Sequence, residues 1–569
     1  MNSKSFLSVI GAACAASLVL AGCTGAPSSV SSSGTSTTTT QPGSPASSSE
    51  SATPALPQAS SWGPSVDTIA AAQKAVSEMT VQRKAGQVLV AFFSGKDYAS
   101  QSALVKKLHL GGVIMMGDNI PVSSGGSNSN SGDSGGATGG AAGVDVSALT
   151  SATKKLGSAL SGERSWPGIV AVDQEGGLVA RVQAPLTEWP TGMTYGAAND
   201  PSLTEKSHHA LNQDLADLGF TMNFAPDADV TIGPTDPVIG ARSMGSDPSL
   251  VASNVVAAWK GAVSAGVMPS LKHFPGHGSV TTDSHVGLPV QSASVSELEA
   301  RDWVPFKESI DAGVPMIMMG HIAVTELDPG VPSSLSAASY AELRKLGFEG
   351  VVVTDALNMG AITESYSTGQ ESVTALAAGA DLLVMPPNVT AAHEAIVAAV
   401  KKGSLKESRL DEAAARVVAM QMMQQEKSAE ASDVDPETES RAISAAAITA
   451  FGSKCSGPLV GKSISITGGD ARDRARLTRA ATAAGLSVGG GTSVALLGNG
   501  NVTANADVVV ALDAPYGLSR SQAESKVALY GRTTGAFEAL VDVLTGKSEA
   551  KGKLPVKVGD QPIGTSCGS

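Results

Sequence analysis

The chain has 569 residues, 42 % of them hydrophobic, and a formal net charge of −13. That length exceeds what one ordinary core supports, so two domains with tails are expected. No run of lysines or arginines offers the clustered cations that phosphate binding requires, which argues against nucleic acid as a partner.

Lys4 supplies a short basic region, Phe6 to Leu20 is apolar, and Leu20-Ala21-Gly22-Cys23 follows directly. The pattern reads as an export signal over residues 1–22 ending in a lipobox. A transmembrane helix is the competing reading, but the stretch is short for a bilayer and ends in small residues suited to cleavage. It resembles the signals of bacterial lipoproteins, which implies that Cys23 becomes the mature N-terminus and carries lipid on the outer face of the cell membrane. Residues 23–65 are Ser, Thr, Pro, Gly and Ala with few large apolar side chains, so they cannot offset the entropy of ordering and read as a tether. Of four cysteines, Cys14 leaves with the signal and Cys23 is modified. Cys455 and Cys567 remain in an oxidising compartment and are expected to bond, two free thiols being the alternative. Such a link would stabilise the chain by roughly 4–5 kcal/mol.

From residue 66 to 426 short apolar runs alternate with helical patterns: GQVLVAFFSG, LGGVIMMG, GIVAVDQEGG, FTMNFAPDADV, VMPSLKHFPGHG, VPMIMMGH, EGVVVTDALNM and ADLLVMPP. Eight runs separated by helices predict a (β/α)8 barrel of TIM type, and their continuous apolar character fits parallel strands covered on both faces. Helices are expected at Leu203 to Leu218, Leu250 to Ala265, Ala337 to Leu346 and Thr390 to Lys401. Ser123 to Gly143 is nearly all Gly, Ser, Asn and Ala and reads as a flexible surface insertion. Residues 427–437 form a linker. A smaller α/β sandwich is expected over 438–569, from KSISITGG, a helix around Arg472 to Ala484, VALLGNG and ADVVVALDAPY. Its glycines lack the G-x-G-x-x-G spacing of a dinucleotide site.

In a barrel, functional groups project from the carboxyl ends of the strands. The third run ends in Asp173-Gln174-Glu175-Gly176-Gly177, the fifth in Lys272-His273-Phe274-Pro275-Gly276-His277-Gly278 and the seventh in Thr354-Asp355. Asp355 is delivered to the barrel mouth by VVVT, which suits a nucleophile; capping the next helix is the ordinary alternative. In Asp283-Ser284-His285 an i, i+2 carboxylate can orient an imidazole and favour its protonated form. His277, next to Pro275-Gly276, reads as a loop-fixing residue.

KHFPGHG followed by DSH, with VDQEGG upstream and VVVTDALNM downstream, resembles glycoside hydrolase family 3, within it the β-N-acetylglucosaminidase (NagZ-type) branch. The likeness runs through the barrel from Gly86 to Gln425 and more loosely through KVALYGRTTGAFEALVDVLTGK and GKLPVKVG. It implies Asp355 as nucleophile, His285 as acid/base with Asp283 as its partner, and Asp173, Arg181, Arg242, Lys272 and His273 around the sugar. Arg242 lies in IGARSMG, where Ser243-Met244 replaces the family's more usual aromatic. No cofactor is implied. The expected activity is a retaining exo-β-N-acetylhexosaminidase releasing terminal GlcNAc from peptidoglycan fragments.

Four other readings remain in view. His273, His277, Asp283 and His285 are metal-ligand types, but the spacing is not H-E-x-x-H and Pro275-Gly276 forbids a helix presenting two histidines together. A non-catalytic wall-binding lipoprotein has no need of Asp355, Asp283 and His285. Phosphorolysis at the same site is open, since a neutral His285 repels phosphate less than a carboxylate does, and a β-glucosidase-type member of the family is the remaining alternative.

Overall fold

The computed structural model describes residues 61–123, 143–162, 164–427, 434–498 and 504–567. The export signal, Cys23, nearly all of the tether and most of the Ser123–Gly143 insertion lie outside the described residues.

Eight short strands make the barrel: β1 (Leu89–Ala91), β2 (Gly112–Ile114), β3 (Ile169–Val172), β4 (Met222–Asn223), β5 (Met268–Pro269 and Leu271–Phe274), β6 (Met316–Met319), β7 (Val351–Thr354) and β8 (Leu383–Val384). Each neighbouring pair from β1 to β7 is parallel, β8 pairs with β1, and a Val353–Leu382 bridge joins β7 to β8, so the sheet closes on itself. All are buried, with helices outside and side-chain layers within, which is why the sequence runs are apolar without alternation. The helices Pro201–Asp217 and Pro248–Ser264 begin two residues before their apolar periodicity does. In both, an Asp caps the first turn and a Pro with preset φ opens it. Ala337–Lys345 and Val389–Lys402 complete the expected set, the latter stopped by Gly403 at φ 75°.

The second domain is a six-stranded sheet: β9 (Thr449–Phe451), β10 (Ser463–Gly468), β11 (Ser487–Val488), β12 (Thr492–Leu497), β13 (Val508–Ala511) and β14 (Ser525–Ala528), in the order β9-β14-β13-β12-β10-β11. Only β9 runs antiparallel to its neighbour. Side chains alternate between two cores, as a pleated sheet requires. Val494, Leu496, Val508 and Val510 face the helices Ala471–Ala483 and Thr534–Leu544, through Leu477, Phe537 and Leu540. Ala495, Leu497, Val509 and Ala511 face the other way, where Met193, Ala197 and Ala241 of the barrel domain join them. The same joint holds Tyr530, whose carbonyl accepts the Thr191 N–H (3.3 Å) and the hydroxyls of Thr191 (2.6 Å) and Thr194 (2.9 Å). Cys455 and Cys567 are disulfide-bonded, with Cα atoms 5.5 Å apart. Among the described residues no helix is long and apolar enough to cross a membrane.

Candidate active site

A cavity of about 400 Å³ opens at the carboxyl end of the barrel. Asp173, Arg181, Arg242, Lys272, His273, Asp283, His285 and Asp355 all line it, so the structure gathers every candidate side chain at one mouth. They come from separate elements. Asp173 follows β3, ahead of a hairpin of Gln174–Gly176 with Val179–Ala180. Gly176 (φ 97°) turns that hairpin where a side chain could not, since a Cβ there would sit 2.6 Å from the Pro190 carbonyl oxygen. Lys272 and His273 lie in β5 itself, Asp355 directly follows β7, and Asp283-Ser284-His285 is a turn beyond β5.

One wall is a charge lattice. Glu175 accepts Arg242 Nε (2.9 Å) and Nη2 (2.8 Å) and lies 2.8 Å from Lys272 Nζ. Lys272 reaches Asp173 at 3.0 Å, Arg181 stands 4.0 Å from Asp173, and Arg242 is 3.4 Å from Asp227. Burial disfavours the Glu175 carboxylate, but Arg242 and Lys272 outweigh it and hold its pKa far below the usual range. Lys272 is likewise buried, yet Asp173 and Glu175 keep its ammonium charged. Asp227 goes the other way: burial and the adjacent Asp229 lift its carboxyl well above the usual value despite Arg242.

Across the cavity, Asp355 is ionised. Burial lifts its carboxyl, but His321, His273, the Ala356 N–H and His285 together bring it down to about 2. The Ala356 N–H donates to its Oδ1 at 2.7 Å, and Asp355 N–H donates to the Met319 carbonyl at 2.9 Å. His285 Nδ1 meets Asp283 Oδ1 at 2.7 Å, and the same oxygen accepts the His285 backbone N–H at 2.9 Å. An unprotonated carboxylate and a carboxylate-paired imidazole therefore share one cavity, the equipment for nucleophilic attack with proton transfer.

Four residues of the site carry no assigned role in the sequence: Glu175, Asp227, Asp229 and His321. Glu175 lies inside VDQEGG, Asp227 and Asp229 at the end of the fourth run, and His321 at the end of the sixth, the strand-end signal that marked the others. His321 is buried, its Nε2 2.9 Å from the Ala356 carbonyl and its Nδ1 2.7 Å from Ser334 Oγ. The metal quartet considered from sequence is dispersed into separate bonds, His273 to Asp229 (2.7 Å), His277 to Ser284 (3.1 Å) and His285 to Asp283. Among the described residues, ligand atoms of Asp227, Asp229 and His273 do lie within 4.8 Å of one another. Arg242 already supplies positive charge to that corner, so the donor set suits an arginine better than a second cation.

Residues 80–420 match the model of the glycosyl hydrolase family 3 N-terminal domain. The chain is 32 % identical over 304 residues to β-hexosaminidase A of Pseudoalteromonas piscicida, spanning 50 % of this chain but 47 % of that protein. It is 31 % identical over 340 residues to the β-hexosaminidase LpqI of Mycobacterium tuberculosis, covering 57 % of this chain and 79 % of the relative. Among solved structures, a family 3 β-N-acetylglucosaminidase from Paenibacillus sp. superposes with a TM-score of 0.73 at 27 % identity, covering 84 % of this chain and 99 % of that one. The family match over the barrel, the shared two-domain fold and the charged mouth agree: this chain belongs to glycosyl hydrolase family 3 and is a glycoside hydrolase related to the β-hexosaminidases.

Proposed function

We propose that the chain is a retaining exo-β-N-acetylglucosaminidase acting on GlcNAc-terminated wall fragments, with Asp355 as nucleophile and His285 as acid/base. The observation that carries this reading is the pairing, in one cavity, of a carboxylate held at about 2 with a histidine bonded to Asp283. Asp355 attacks the anomeric carbon as the protonated His285 gives its proton to the departing oxygen. Neutral His285 then takes a proton from water, whose oxygen displaces Asp355 and restores the β configuration. A histidine serves both steps near neutral pH because its unperturbed pKa lies near 6.5, whereas a carboxylate needs its pKa raised to act as the acid. Because Asp355 is ionised from about pH 2 upward, the acid limb of kcat/KM belongs to other groups.

Asp173, Arg181, Arg242, Lys272 and His273 grip the sugar hydroxyls, and a cavity of about 400 Å³ suits one terminal ring rather than a polymer segment. The β-hexosaminidase relatives support the N-acetylated sugar. The test is product analysis on defined GlcNAc disaccharides, with and without phosphate. Free GlcNAc in both arms supports hydrolysis, sugar phosphate in the second arm assigns phosphorolysis, and no cleavage in either refutes the proposal. His285→Ala should keep attack on an activated aryl glycoside, lose disaccharide cleavage and regain turnover with azide. Export and anchoring through Cys23 belong to the same proposal: Cys23→Ala should leave the detergent-extracted membrane fraction with catalysis unchanged.

A further inference from the structure

In the turn Asp283-Ser284-His285 the outer side chains stand partly in solvent, 34 % and 31 % exposed, whereas Ser284 between them is 2 % exposed. The turn aims Ser284 into the barrel. There its Oγ meets His277 Nε2 at 3.1 Å, and its carbonyl accepts the Ala361 N–H at 3.2 Å. Gly360 abuts the same turn so closely that a Cβ there would lie 2.7 Å from the His285 carbonyl oxygen. The outer side is open: Val286 is 74 % exposed, and a Cβ on Gly287 would meet nothing within 4 Å.

His277 is a fixed post. Its N–H donates to Asp229 Oδ1 at 2.6 Å, while Asp229 Oδ2 holds His273 Nδ1 at 2.7 Å, and the two rings meet edge to face at 5.6 Å. A Cβ on Gly278 would sit 2.5 Å from the Val230 carbonyl oxygen, so the chain past His277 is wedged in place. Burial, with the neighbouring His273, holds its pKa down to about 4, so the ring is neutral at working pH. Its Nδ1 is buried without a partner. The tautomer that leaves a lone pair rather than an N–H unpaired makes Nε2–H the donor and Ser284 Oγ the acceptor.

The geometry points to His277 and Ser284 as positioning residues, a latch through which the rigid KHFPGHG turn holds the Asp283–His285 pair in register with the bond to be broken. The inference rests on the reading of His285 as acid/base. The latch acts through His285, so it matters only where the leaving oxygen needs a proton. Misplacing a reacting group by about 1 Å can cost on the order of 100-fold, and a loosened turn should cost part of that.

The test compares kcat/KM, which reports the steps up to bond cleavage, for a natural disaccharide and for an aryl glycoside with a strongly activated leaving group. Ser284→Ala should lower the first by about tenfold and leave the second within about twofold, Ser284→Thr should restore it, and His277→Gln should follow Ser284→Ala. In a His285→Ala background, Ser284→Ala should add no further loss. Equal losses for both substrates, no loss for either, or an undiminished loss without His285 overturns the latch. Ser284→Ala removes a single oxygen from a buried site, so its melting temperature near wild type keeps the result readable even where His277→Gln fails to fold. Were His285→Ala itself to cleave disaccharides normally, the acid/base reading would fall first. An impaired His285→Ala beside a normal Ser284→Ala removes the latch alone.

Discussion

The two ends of the barrel each bury a lattice of charge, and they are finished differently. At the amino end Asp381, fully buried, accepts Arg344 (2.9 Å), Arg409 (2.5 Å), Arg416 (3.3 Å) and the Val352 N–H (3.0 Å). Burial is outweighed there by three guanidinium groups, and the carboxyl stays ionised. At the carboxyl end the charges are as deep, but Arg181 Nε has no hydrogen-bond partner, Asp227 Oδ2 has only the 3.4 Å approach of Arg242, and the lattice faces a cavity. Burial and perturbed pKa values mark both ends alike. Saturation separates them: a lattice whose polar atoms are all matched holds the fold, and one left incomplete around a cavity is kept for a ligand.

That contrast can be broken experimentally, most sharply at Asp355. Asp355→Asn should lower turnover by roughly 10⁴-fold or more for every leaving group while the melting curve stays near wild type. Comparable activity in a preparation free of wild-type enzyme would remove the mouth's claim to chemistry. Asp381→Ala should do the reverse, costing about 3–5 kcal/mol in denaturant unfolding because it strands buried arginines, while KM of the folded fraction is unchanged. A normal midpoint with impaired KM would make the amino end functional. Lys272→Met should fall between them, with kcat/KM reduced about 10- to 100-fold and a smaller unfolding cost, since Glu175 keeps Arg242. The smallest effect is expected at Asp227. Its raised folded pKa means that the folded chain keeps a proton the unfolded chain releases above pH 4, so its cost to stability grows as pH rises from there. Asp227→Asn should therefore be more stable than wild type at pH 7 and no more stable near pH 4. A gain that is larger at pH 4 than at pH 7 would reverse the sign assigned to Asp227.

Much of the barrel is legible because parallel strands buried on both faces leave unbroken apolar runs, as VVVT does before Asp355. The helix starts at Pro201 and Pro248 escape an apolar count because their first turns are set by Asp-Pro chemistry instead. The candidate side chains are readable as ionisable groups at strand ends. Their pairing is not, for Glu175 joins Arg242 across 67 positions of sequence and Lys272 joins Asp173 across 99. Asp227 and Asp229 carry the same strand-end signal in sequence, but their different roles appear only with the approach of Arg242 to one and His273 to the other. Similarly, Ser284 is an unremarkable member of DSH until its burial beside His277 is known.

The joint around Tyr530 bears on how the molecule can be taken apart. A barrel expressed without residues beyond 434 would bare Met193, Ala197 and Ala241 and leave the donors of Thr191 and Thr194 without the Tyr530 carbonyl. Ala241 adjoins Arg242, and Ser246 further along that segment donates its N–H to the Pro555 carbonyl at 3.1 Å. Trimming the chain to its barrel would therefore bare an apolar face and remove the contact that Pro555 makes just beyond a cavity-lining arginine.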